Sequence, residues 1–402
     1  MRIVQVNETC GTNSIGRTTL ELARELEKKG HECLVAYSHD NLGYQNAVRV
    51  GSDLDHKVHA VLSRITGLQG YFSYRATRKL LKRLDEFKPE VVHLRNLHSN
   101  YVNLKELLMY CSKKRIPVVV TLHDCWMFTG KCTYYIPAKC EKWKQECGNC
   151  PLLHKDNVNP TLFFDRTTKC ITDKKKWFDA IPKVSIVGVS EWVANEAKSS
   201  IFSKRNPIAI YNWIDLNTFR PRESEIRKQY GLEGKYVILC VAASISRIKG
   251  YDEIVTISKG MPENWRIVAI GKETLPLPEN IIHISHTNDA VQLAEFYTMA
   301  DVCMNTTQYE TFGKVTAEAI CCGTPAVVYN NTASPELVDD GCGIVVNQAD
   351  GVAGILKALK EIEINGKKYY TEACLNAARN RFGKDIGVNK YIELYESLVH
   401  AD

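Results

Sequence analysis

Short runs rich in valine and isoleucine alternate with longer amphipathic stretches along the whole chain, and this alternation restricts the fold more than any other feature. The runs are residues 3–6, 34–37, 91–94, 118–122 and 186–189 in the first half, and 237–241, 267–270, 281–284, 302–305, 326–329 and 344–346 in the second. Such runs are typical of buried parallel strands joined by helices. The pattern predicts an α/β protein with two doubly wound, Rossmann-like parallel-sheet domains.

The length supports two domains, because 402 residues are too many for one ordinary hydrophobic core. We expect one domain over residues 1–206 and a second over 207–402, with a linker near residues 206–221 that contains Pro207 and Pro221. An amphipathic last helix near 388–398 has an apolar face that the first domain is able to cover. Open parallel sheets bind ligands beyond the carboxyl ends of their strands, so two such domains are expected to face a central cleft.

Composition excludes several classes of protein. Apolar residues make up 45% and charged residues 24%, and no run approaches the roughly 18 apolar residues that a membrane span needs. A strand-like segment follows Met1 directly, without the pattern of a signal peptide, so we expect a cytoplasmic protein. The net charge of +6 suits anionic ligands or an acidic membrane surface but is too small to indicate nucleic-acid binding.

Residues 302–329 read as strand, loop, helix, cap and strand. Gly313 lies where the helix begins, Gly323 follows its end, and Pro325 prevents continuation, so the helix is expected over about 314–322. Backbone N–H groups at its start are expected to lie at the positive end of the helix dipole and to point at a ligand, which makes an anion site suited to a diphosphate. These groups belong to Thr311, Phe312, Gly313 and Lys314.

Two carboxylates flank this expected anion site. Glu310 precedes the helix and Glu318 lies about one and a half turns along it, so the two face different parts of one ligand. Beside a phosphate, carboxylates are useful as acceptors for uncharged hydroxyl groups, which fits a sugar at Glu310 and a ribose at Glu318. The alternative is an ordinary crossover helix with two surface glutamates.

The spacing Glu310-x7-Glu318, followed by Ala319 and by CGTP over residues 322–325, resembles the signature of the retaining glycosyltransferases of family 4. That resemblance implies the GT-B fold, an acceptor-binding domain over 1–206 and a nucleotide-sugar-binding domain over 207–402. It also implies that Glu310 contacts the donor sugar, that Glu318 contacts the ribose, and that backbone amides after Glu310 hold the diphosphate.

Two cations follow the first strand of the second half. Family 4 enzymes carry an Arg and a Lys here, and Lys249 with Gly250 matches the Lys-Gly pair, whereas Arg247 matches only if the loop is shorter than usual. A leaving nucleoside diphosphate accumulates negative charge in the transition state, and cations already in place stabilise that charge. No metal cofactor is then required for catalysis. The alternative is two solvated surface cations.

The resemblance also assigns roles in the first domain. His123 follows the strand at 118–122, where many family members carry a histidine that hydrogen-bonds the donor sugar. His98, Asn100 and Tyr101 follow the neighbouring strand and are expected to bind the acceptor. For a lone histidine, a purely structural role is the alternative.

The first loop, at residues 10–19, resembles a phosphate-binding P-loop except that Arg17 stands where that motif requires lysine. In family 4 a glycine-containing loop at this position approaches the donor phosphates, which implies donor-binding roles for Gly11, Gly16 and Arg17.

Four of the fifteen cysteines cluster in an expected insertion at 129–155. They are Cys132, Cys140, Cys147 and Cys150, and they end in a C-x2-C motif. Four cysteines are able to bind structural zinc tetrahedrally, but the first two gaps are longer than in standard zinc ribbons. Reduced thiols or disulfides remain the alternative.

Residues 77–84 form a basic amphipathic helix with Arg78, Lys79, Lys82 and Arg83, preceded by Arg75. An exposed helix face explains the pattern, and contact with anionic lipid at the inner face of the cytoplasmic membrane is the alternative.

Together these features predict a retaining, metal-independent glycosyltransferase. It would move a sugar from a UDP- or GDP-sugar to a glycan or lipid-linked acceptor in the biosynthesis of cell-surface polysaccharide such as capsule. A sugar-nucleotide epimerase of the same fold and a noncatalytic sugar-nucleotide-binding protein are the alternatives.

Overall fold

A computed structural model describes residues 1–156, 158–285, 287, 289–338 and 341–400. The chain divides into two compact units. The first comprises Met1–Ile210 together with the chain from Val388 onward, and the second comprises Tyr211–Gly387.

A parallel sheet forms the centre of the first unit. Its strands are β1 (Arg2–Val6), β2 (Glu32–Tyr37), β3 (Ala47–Arg49), β4 (Val91–Leu94), β5 (Val118–Leu122), β6 (Val184–Gly188) and β7 (Ile208–Ala209). Its helices are α1 (Asn13–Lys28), α2 (Asp53–Thr66), α3 (Tyr74–Phe87), α4 (Leu104–Lys114), α5 (Thr167–Asp179) and α6 (Glu191–Lys198). The strand order is β3-β2-β1-β4-β5-β6-β7, so the order reverses between β1 and β4. Ligands bind at such a switch point, beyond the carboxyl ends of the strands.

The second unit repeats this plan. Its elements begin with α7 (Ile226–Gln229), β8 (Tyr236–Ile245), α8 (Tyr251–Gly260), β9 (Trp265–Glu273), β10 (Ile281–Ile284), α9 (Ala290–Met299) and β11 (Val302–Asn305). They continue with α10 (Lys314–Cys321), β12 (Ala326–Tyr329), α11 (Ser334–Val338), β13 (Gly343–Val346), α12 (Gly351–Asn365) and α13 (Lys367–Ala377). The order β10-β9-β8-β11-β12-β13 reverses between β8 and β11, which are hydrogen-bonded neighbours.

Strand burial explains why the sequence runs predicted the sheets so well. Every residue of β4, β5, β11 and β12 is buried, as expected for strands covered on both faces by helices. The predicted α/β class with two doubly wound parallel sheets is confirmed.

The last helix, α14 (Lys384–His400), crosses from the second unit into the first. Its Tyr395 hydroxyl lies 2.7 Å from Nδ1 of His93, and its Tyr391 hydroxyl lies 2.7 Å from Oγ1 of Thr121. All four side chains are buried. From Val388 onward the helix is therefore part of the first unit's core. Among the described residues, no helix is both long and apolar enough to span a bilayer.

Candidate functional site

The loop after β8 carries Lys249 and is fixed by a glycine. Gly250 has φ +87° and is the N-cap residue of α8. A Cβ built on it would lie only 2.1 Å from Oγ1 of Thr306, just after β11. Gln308 N–H donates to the Ile248 carbonyl at 2.9 Å. These contacts require glycine at this position and join the loops that follow β8 and β11 at the switch point.

Glu310 lies in the loop after β11. Hydrogen bonds to the loop after β12 fix its position. Its N–H donates to Oγ1 of Thr332 at 2.9 Å, and the Asn331 side-chain amide donates to the Thr307 carbonyl at 3.1 Å. Thr332 has φ 44°, a left-handed conformation that costs energy for a residue with a branched side chain. The carboxyl ends of β11 and β12 are thus joined around Glu310.

Lys249 and Glu310 form an ion pair between Nζ and Oε1, and both side chains are partly buried. The predicted cation and the predicted sugar-binding carboxylate therefore come together, although 61 residues separate them. This pair lies beyond the carboxyl ends of two adjacent strands, where open α/β sheets bind ligands.

The start of α10 has the geometry predicted for an anion site. Gly313 has φ 92° as the N-cap residue, and no side chain caps the helix there. The first N–H groups of α10, beginning with Lys314, thus have no partner within the helix. The helix ends at Cys321, one residue before the predicted end. Thr311 and Phe312 are buried, and the Phe312 ring packs 6.2 Å from the Phe382 ring, so only its backbone is suited to a ligand.

Glu318 is buried on α10, where the Tyr297 hydroxyl donates to its Oε2 at 3.1 Å. Burial, followed by the charge of Glu318, raises the pKa of Tyr297 well above its usual value, so this hydroxyl remains a donor. The sequence placed Glu318 correctly on the helix but did not indicate that a tyrosine already holds it.

Arg247 does not join Lys249 at Glu310. Its side chain is 72% exposed, and its Nε lies 3.8 Å from a carboxylate oxygen of Asp252. A weak, exposed pair of this kind fixes a side chain poorly. The predicted role of Arg247 at the diphosphate therefore requires its side chain to turn.

The first loop is shorter than predicted. Helix α1 begins at Asn13, so Gly16 and Arg17 lie in its first turns rather than in a loop over 10–19. A Cβ on Gly16 would lie 2.2 Å from Oγ1 of Thr9, and Gly11 N–H donates to the Gly16 carbonyl at 2.9 Å. Gly16 therefore allows the loop to fold closely against the helix, while Arg17 is exposed.

His123 follows β5 and is buried. Burial lowers its pKa well below the usual value, and the positive charge of Arg95 lowers it further, so the imidazole is neutral near pH 7. Arg95 is itself buried after β4 and donates to Oγ1 of Thr19 at 2.9 Å. A neutral imidazole is able both to donate and to accept a hydrogen bond, as a sugar hydroxyl requires.

His98 pairs with a carboxylate that the sequence did not single out. Its Nε2 lies 2.9 Å from Oδ2 of Asp124, which directly follows His123. Burial disfavours the charged imidazole, but the Asp124 carboxylate outweighs burial and raises the pKa of His98. Asn100 is partly exposed with φ 60°, whereas Tyr101 is fully buried with its hydroxyl on the Asn96 carbonyl at 2.8 Å. Tyr101 thus supports the loop and offers no surface to a ligand.

The cysteine insertion contains short 3-10 turns and one cavity lined by all four predicted thiols. Those thiols belong to Cys132, Cys140, Cys147 and Cys150. The C-x2-C loop is held from several sides: Gly130 N–H lies 3.2 Å from the Cys147 sulfur, and Cys150 N–H donates to Asp165 at 2.7 Å. A hydrogen bond from the Cys132 thiol is the main cause that lowers the pKa of Cys150 to about 7.

A different group brings potential metal ligands closest together. Within the described parts of the chain, three such side chains have ligand atoms within 4.8 Å of one another only at His39, Asp53 and His56. Asp53 is exposed and already paired with Arg49, and His56 Nε2 lies 2.7 Å from the Val50 carbonyl. No motif spacing indicated this group, because its members come from a loop and a helix that are separate in the sequence.

Two family models match the chain. The model "Glycosyl transferases group 1" matches residues 222–381, and "Glycosyltransferase Family 4" matches residues 15–148. Together they cover most of both halves of the chain.

Several known proteins are similar to this chain. WcaC of Escherichia coli K12, which is assigned to colanic acid biosynthesis as a glycosyl transferase, is 23% identical over 320 residues, which cover 77% of each chain. A glycosyltransferase from Rickettsia africae superposes with a TM-score of 0.70 at 14% identity, covering 100% of this chain and 99% of that one. HepE of Anabaena, solved in complex with UDP and glucose, superposes with a TM-score of 0.66 at 15% identity, covering 99% of this chain and 100% of that one.

The structural likeness identifies the fold as GT-B. The chain therefore contains a region that matches glycosyltransferase family 4 in its N-terminal half and a region that matches the group 1 glycosyl transferases in its C-terminal half.

Proposed function

We propose that the chain transfers a sugar from a nucleoside diphosphate sugar to a glycan or lipid-linked glycan, with retention at the anomeric carbon. The observation that carries this proposal is the meeting of Lys249 and Glu310 beside the uncapped start of α10. This arrangement brings together the cation of Lys249, the first N–H groups of α10 and the carboxylate of Glu310, which is able to accept hydrogen bonds from hydroxyl groups. A sugar diphosphate needs all three.

The donor is proposed to bind with its diphosphate over the first N–H groups of α10 and beside Lys249. Its sugar hydroxyls would then reach Glu310, and its ribose would reach Glu318 in exchange for, or together with, the Tyr297 hydroxyl. The UDP and glucose in the HepE complex favour a UDP-sugar as donor, with a GDP-sugar as the alternative.

The proposed reaction breaks the bond between the anomeric carbon and the leaving diphosphate. The departing phosphate oxygen accepts the proton of the acceptor hydroxyl, and that hydroxyl oxygen bonds to the anomeric carbon on the same face. Lys249, aided by Arg247 once its exposed side chain turns, stabilises the charge on the leaving group. These cations take the place of a metal ion in this scheme.

In the first unit, His123 is proposed to hydrogen-bond a sugar hydroxyl as a neutral imidazole. His98 and Asn100 lie after β4 and are proposed to contact the acceptor, with Asp124 orienting His98. The relation to WcaC supports an acceptor that belongs to a cell-surface polysaccharide, such as a capsule. Transfer would then take place in the cytoplasm.

We also propose that the four cysteines of the insertion bind one structural zinc ion. They line one cavity, and the backbone of their C-x2-C loop is fixed by Gly130 and Asp165. At a Zn–S distance of about 2.3 Å, tetrahedral binding would draw the sulfurs to about 3.8 Å from one another. The ion would stabilise a segment that has little regular secondary structure of its own.

A thermal-shift screen of nucleotide sugars tests the proposed function. A donor present at 100 times its Kd adds about 2.7 kcal/mol to the free energy of unfolding, so the correct base and sugar are detected as the largest shift. Each stabilising donor is then incubated with the protein alone and with glycan acceptors. Conversion of the donor without acceptor would identify an epimerase, and binding without any conversion or transfer would identify a noncatalytic binding protein.

A further inference from the structure

Helix α2 has its polar and apolar faces reversed relative to an ordinary surface helix. The side chains it buries are His56, His59 and Ser63. The side chains it exposes to solvent include five large apolar ones, at Leu54, Val58, Val61, Leu62 and Ile65. Surface helices normally bury their apolar stripe. A helix whose apolar residues face outward therefore indicates that another apolar surface covers them.

The exposed apolar residues form a continuous stripe. At 100° per residue they fall within an arc of about 100°, which we call the α2 stripe. Leu54, near its start, is 71% exposed. Lys57 and Arg64 lie along one edge of the stripe and are exposed. An apolar arc bordered by cations is typical of helices that lie in the plane of a membrane interface.

A loop from elsewhere in the chain extends this apolar surface. Leu162, Phe163 and Phe164 are all exposed, and the exposed fraction of Phe163 is 66%. Leu162 N–H donates to the Arg64 carbonyl at 2.7 Å. A Cβ built on Gly67, directly after α2, would lie 2.2 Å from the Phe164 carbonyl oxygen. The aromatic loop is thus fastened to the C-terminal end of α2.

Helix α3 is a neighbour of α2 and carries several exposed cations. The two helices are in contact, since His59 Nδ1 lies 2.8 Å from the Ser73 hydroxyl at the start of α3. Five basic side chains of α3 are exposed; they are Arg75, Arg78, Lys79, Lys82 and Arg83. Arg78 and Arg83 pair with nearby glutamates, whereas Arg75, Lys79 and Lys82 form no ion pair with any residue that the structure describes.

We propose that the α2 stripe and residues 162–164 insert into the interface of an anionic lipid bilayer, while the cations of α3 bind its phosphate headgroups. An apolar face beside unpaired cations matches a lipid surface, which offers acyl chains and negative charge side by side. A protein partner would have to offer the same pair of surfaces. This surface does not depend on which reaction the enzyme catalyses.

Co-sedimentation with lipid vesicles tests the apolar part. The full chain is expected to bind vesicles that contain phosphatidylglycerol and to bind pure phosphatidylcholine much more weakly. Val61→Glu and Phe163→Glu each place a charge in the proposed insertion surface and should weaken binding at least about tenfold. Ile364→Glu is the matched control, because Ile364 is 83% exposed on α12 in the second unit, and it should bind as the wild type does.

A charge reversal tests the contribution of the α3 cations to lipid binding. Lys82→Glu should weaken binding to the phosphatidylglycerol vesicles by about fivefold or more, because each cation near the surface contributes about 1 kcal/mol. The same reversal at Lys228, which is exposed on α7, should have little effect. Circular dichroism of each variant verifies that the fold is kept, which is expected because every changed side chain is exposed.

Two results would overturn the proposal. One is wild-type protein that fails to bind the anionic vesicles at low salt. The other is a dimer in light scattering that Val61→Glu and Phe163→Glu dissociate while vesicle binding stays unchanged, since the stripe would then be covered by a second copy of the chain.

Discussion

At the scale of single residues, the ion pair of Lys249 and Glu310 is the centre of the proposed donor site. In the proposed reaction, the donor diphosphate would bring negative charge toward Lys249 and sugar hydroxyls toward Glu310, so both partners of the ion pair would gain new contacts. The lysine would contribute most in the transition state, when charge accumulates on the leaving group.

Replacing the cation at this position should therefore slow the chemical step. We expect Lys249→Met to lower kcat by about 10²–10³-fold, with a smaller change in KM. Initial-rate kinetics with the donor found by screening measure both values. Lys259→Met is the control, because Lys259 is an exposed lysine in the last turn of α8. A Lys249→Met enzyme with wild-type kcat would remove Lys249 from the mechanism.

A buried histidine makes the first unit sensitive to acid. Burial, together with the charge of His56, lowers the pKa of His59 to about 3, whereas an unfolded histidine has a pKa near 6.5. The unfolded state thus binds a proton that the folded state excludes, and stability falls as the pH drops from about 6.5 toward 3. The contribution of His59 is up to about 1.4 kcal/mol per pH unit.

Urea unfolding between pH 6.5 and 5 measures this effect. His59→Gln, which cannot take up the proton, should show a shallower loss of unfolding free energy with falling pH. If wild type and variant lose stability in parallel, His59 is not the group that titrates.

Sequence patterns predicted several site residues and missed the surroundings of others. The spacing of Glu310 and Glu318 is a local sequence pattern, and so is the Lys-Gly pair at Lys249. Both could therefore be recognised from the sequence. The burial of Tyr101 and the bond between Tyr297 and Glu318 depend on tertiary packing, which no local pattern records. The only signal for Asp124 was its place after a strand.

At the scale of elements, the site depends on two loops that touch at Gly250 and Thr306. Gly250→Ala combines an unfavourable φ with a steric clash and should lower the free energy of unfolding by about 2–4 kcal/mol. Gly231→Ala is the control for φ alone, because Gly231 has φ 63° and no atom within 4 Å of its built Cβ, and it should lose about 1–2 kcal/mol. Chemical denaturation measures both. Equal losses would show that the contact with Thr306 adds no constraint.

The cysteine insertion offers a second prediction at this scale. The purified protein should contain one zinc ion per chain by elemental analysis, and Cys147→Ser should lose it together with thermal stability. Cys125→Ala is the control, since Cys125 is a buried thiol of the same region that does not line the cavity. Protein without zinc, or with these cysteines joined in disulfides by mass spectrometry, would contradict the zinc site.

Most strands were predictable from the sequence, but the shortest strands at the edges of the first sheet were not. Each of the eleven predicted runs overlaps a strand. The agreement is best for strands buried on both faces, such as β5 and β11, because such strands need a continuous apolar run. The two short edge strands β3 and β7 were missed, since segments of three and two residues carry too little pattern. The early start of α1 was missed for a similar reason, because residues 12–18 are polar or small except for Ile15.

At the scale of the whole molecule, two units repeat one architecture with different chemistry at their switch points. In the second unit, the switch point carries the ion pair and the uncapped helix. In the first, histidines follow β4 and β5, and α2 with its neighbours presents the apolar and basic surface. The return of α14 to the first unit, through Tyr391 and Tyr395, means that this unit is completed only by the end of the chain.

The two-domain organisation was predictable because the strand pattern restarts near the middle of the chain. The unit boundary at Tyr211 lies within the expected linker at 206–221. The partner of the last helix could not be derived from its sequence, because an amphipathic face does not specify which surface covers it.

The NMR spectrum of the product formed from the stabilising nucleotide sugar and a glycan acceptor tests directly for glycosyl transfer with retention. We predict a new glycosidic bond with the same anomeric configuration as the donor, formed only when the acceptor is present. A product of inverted configuration would contradict retention. Conversion of the donor to another sugar nucleotide without acceptor would contradict glycosyl transfer itself.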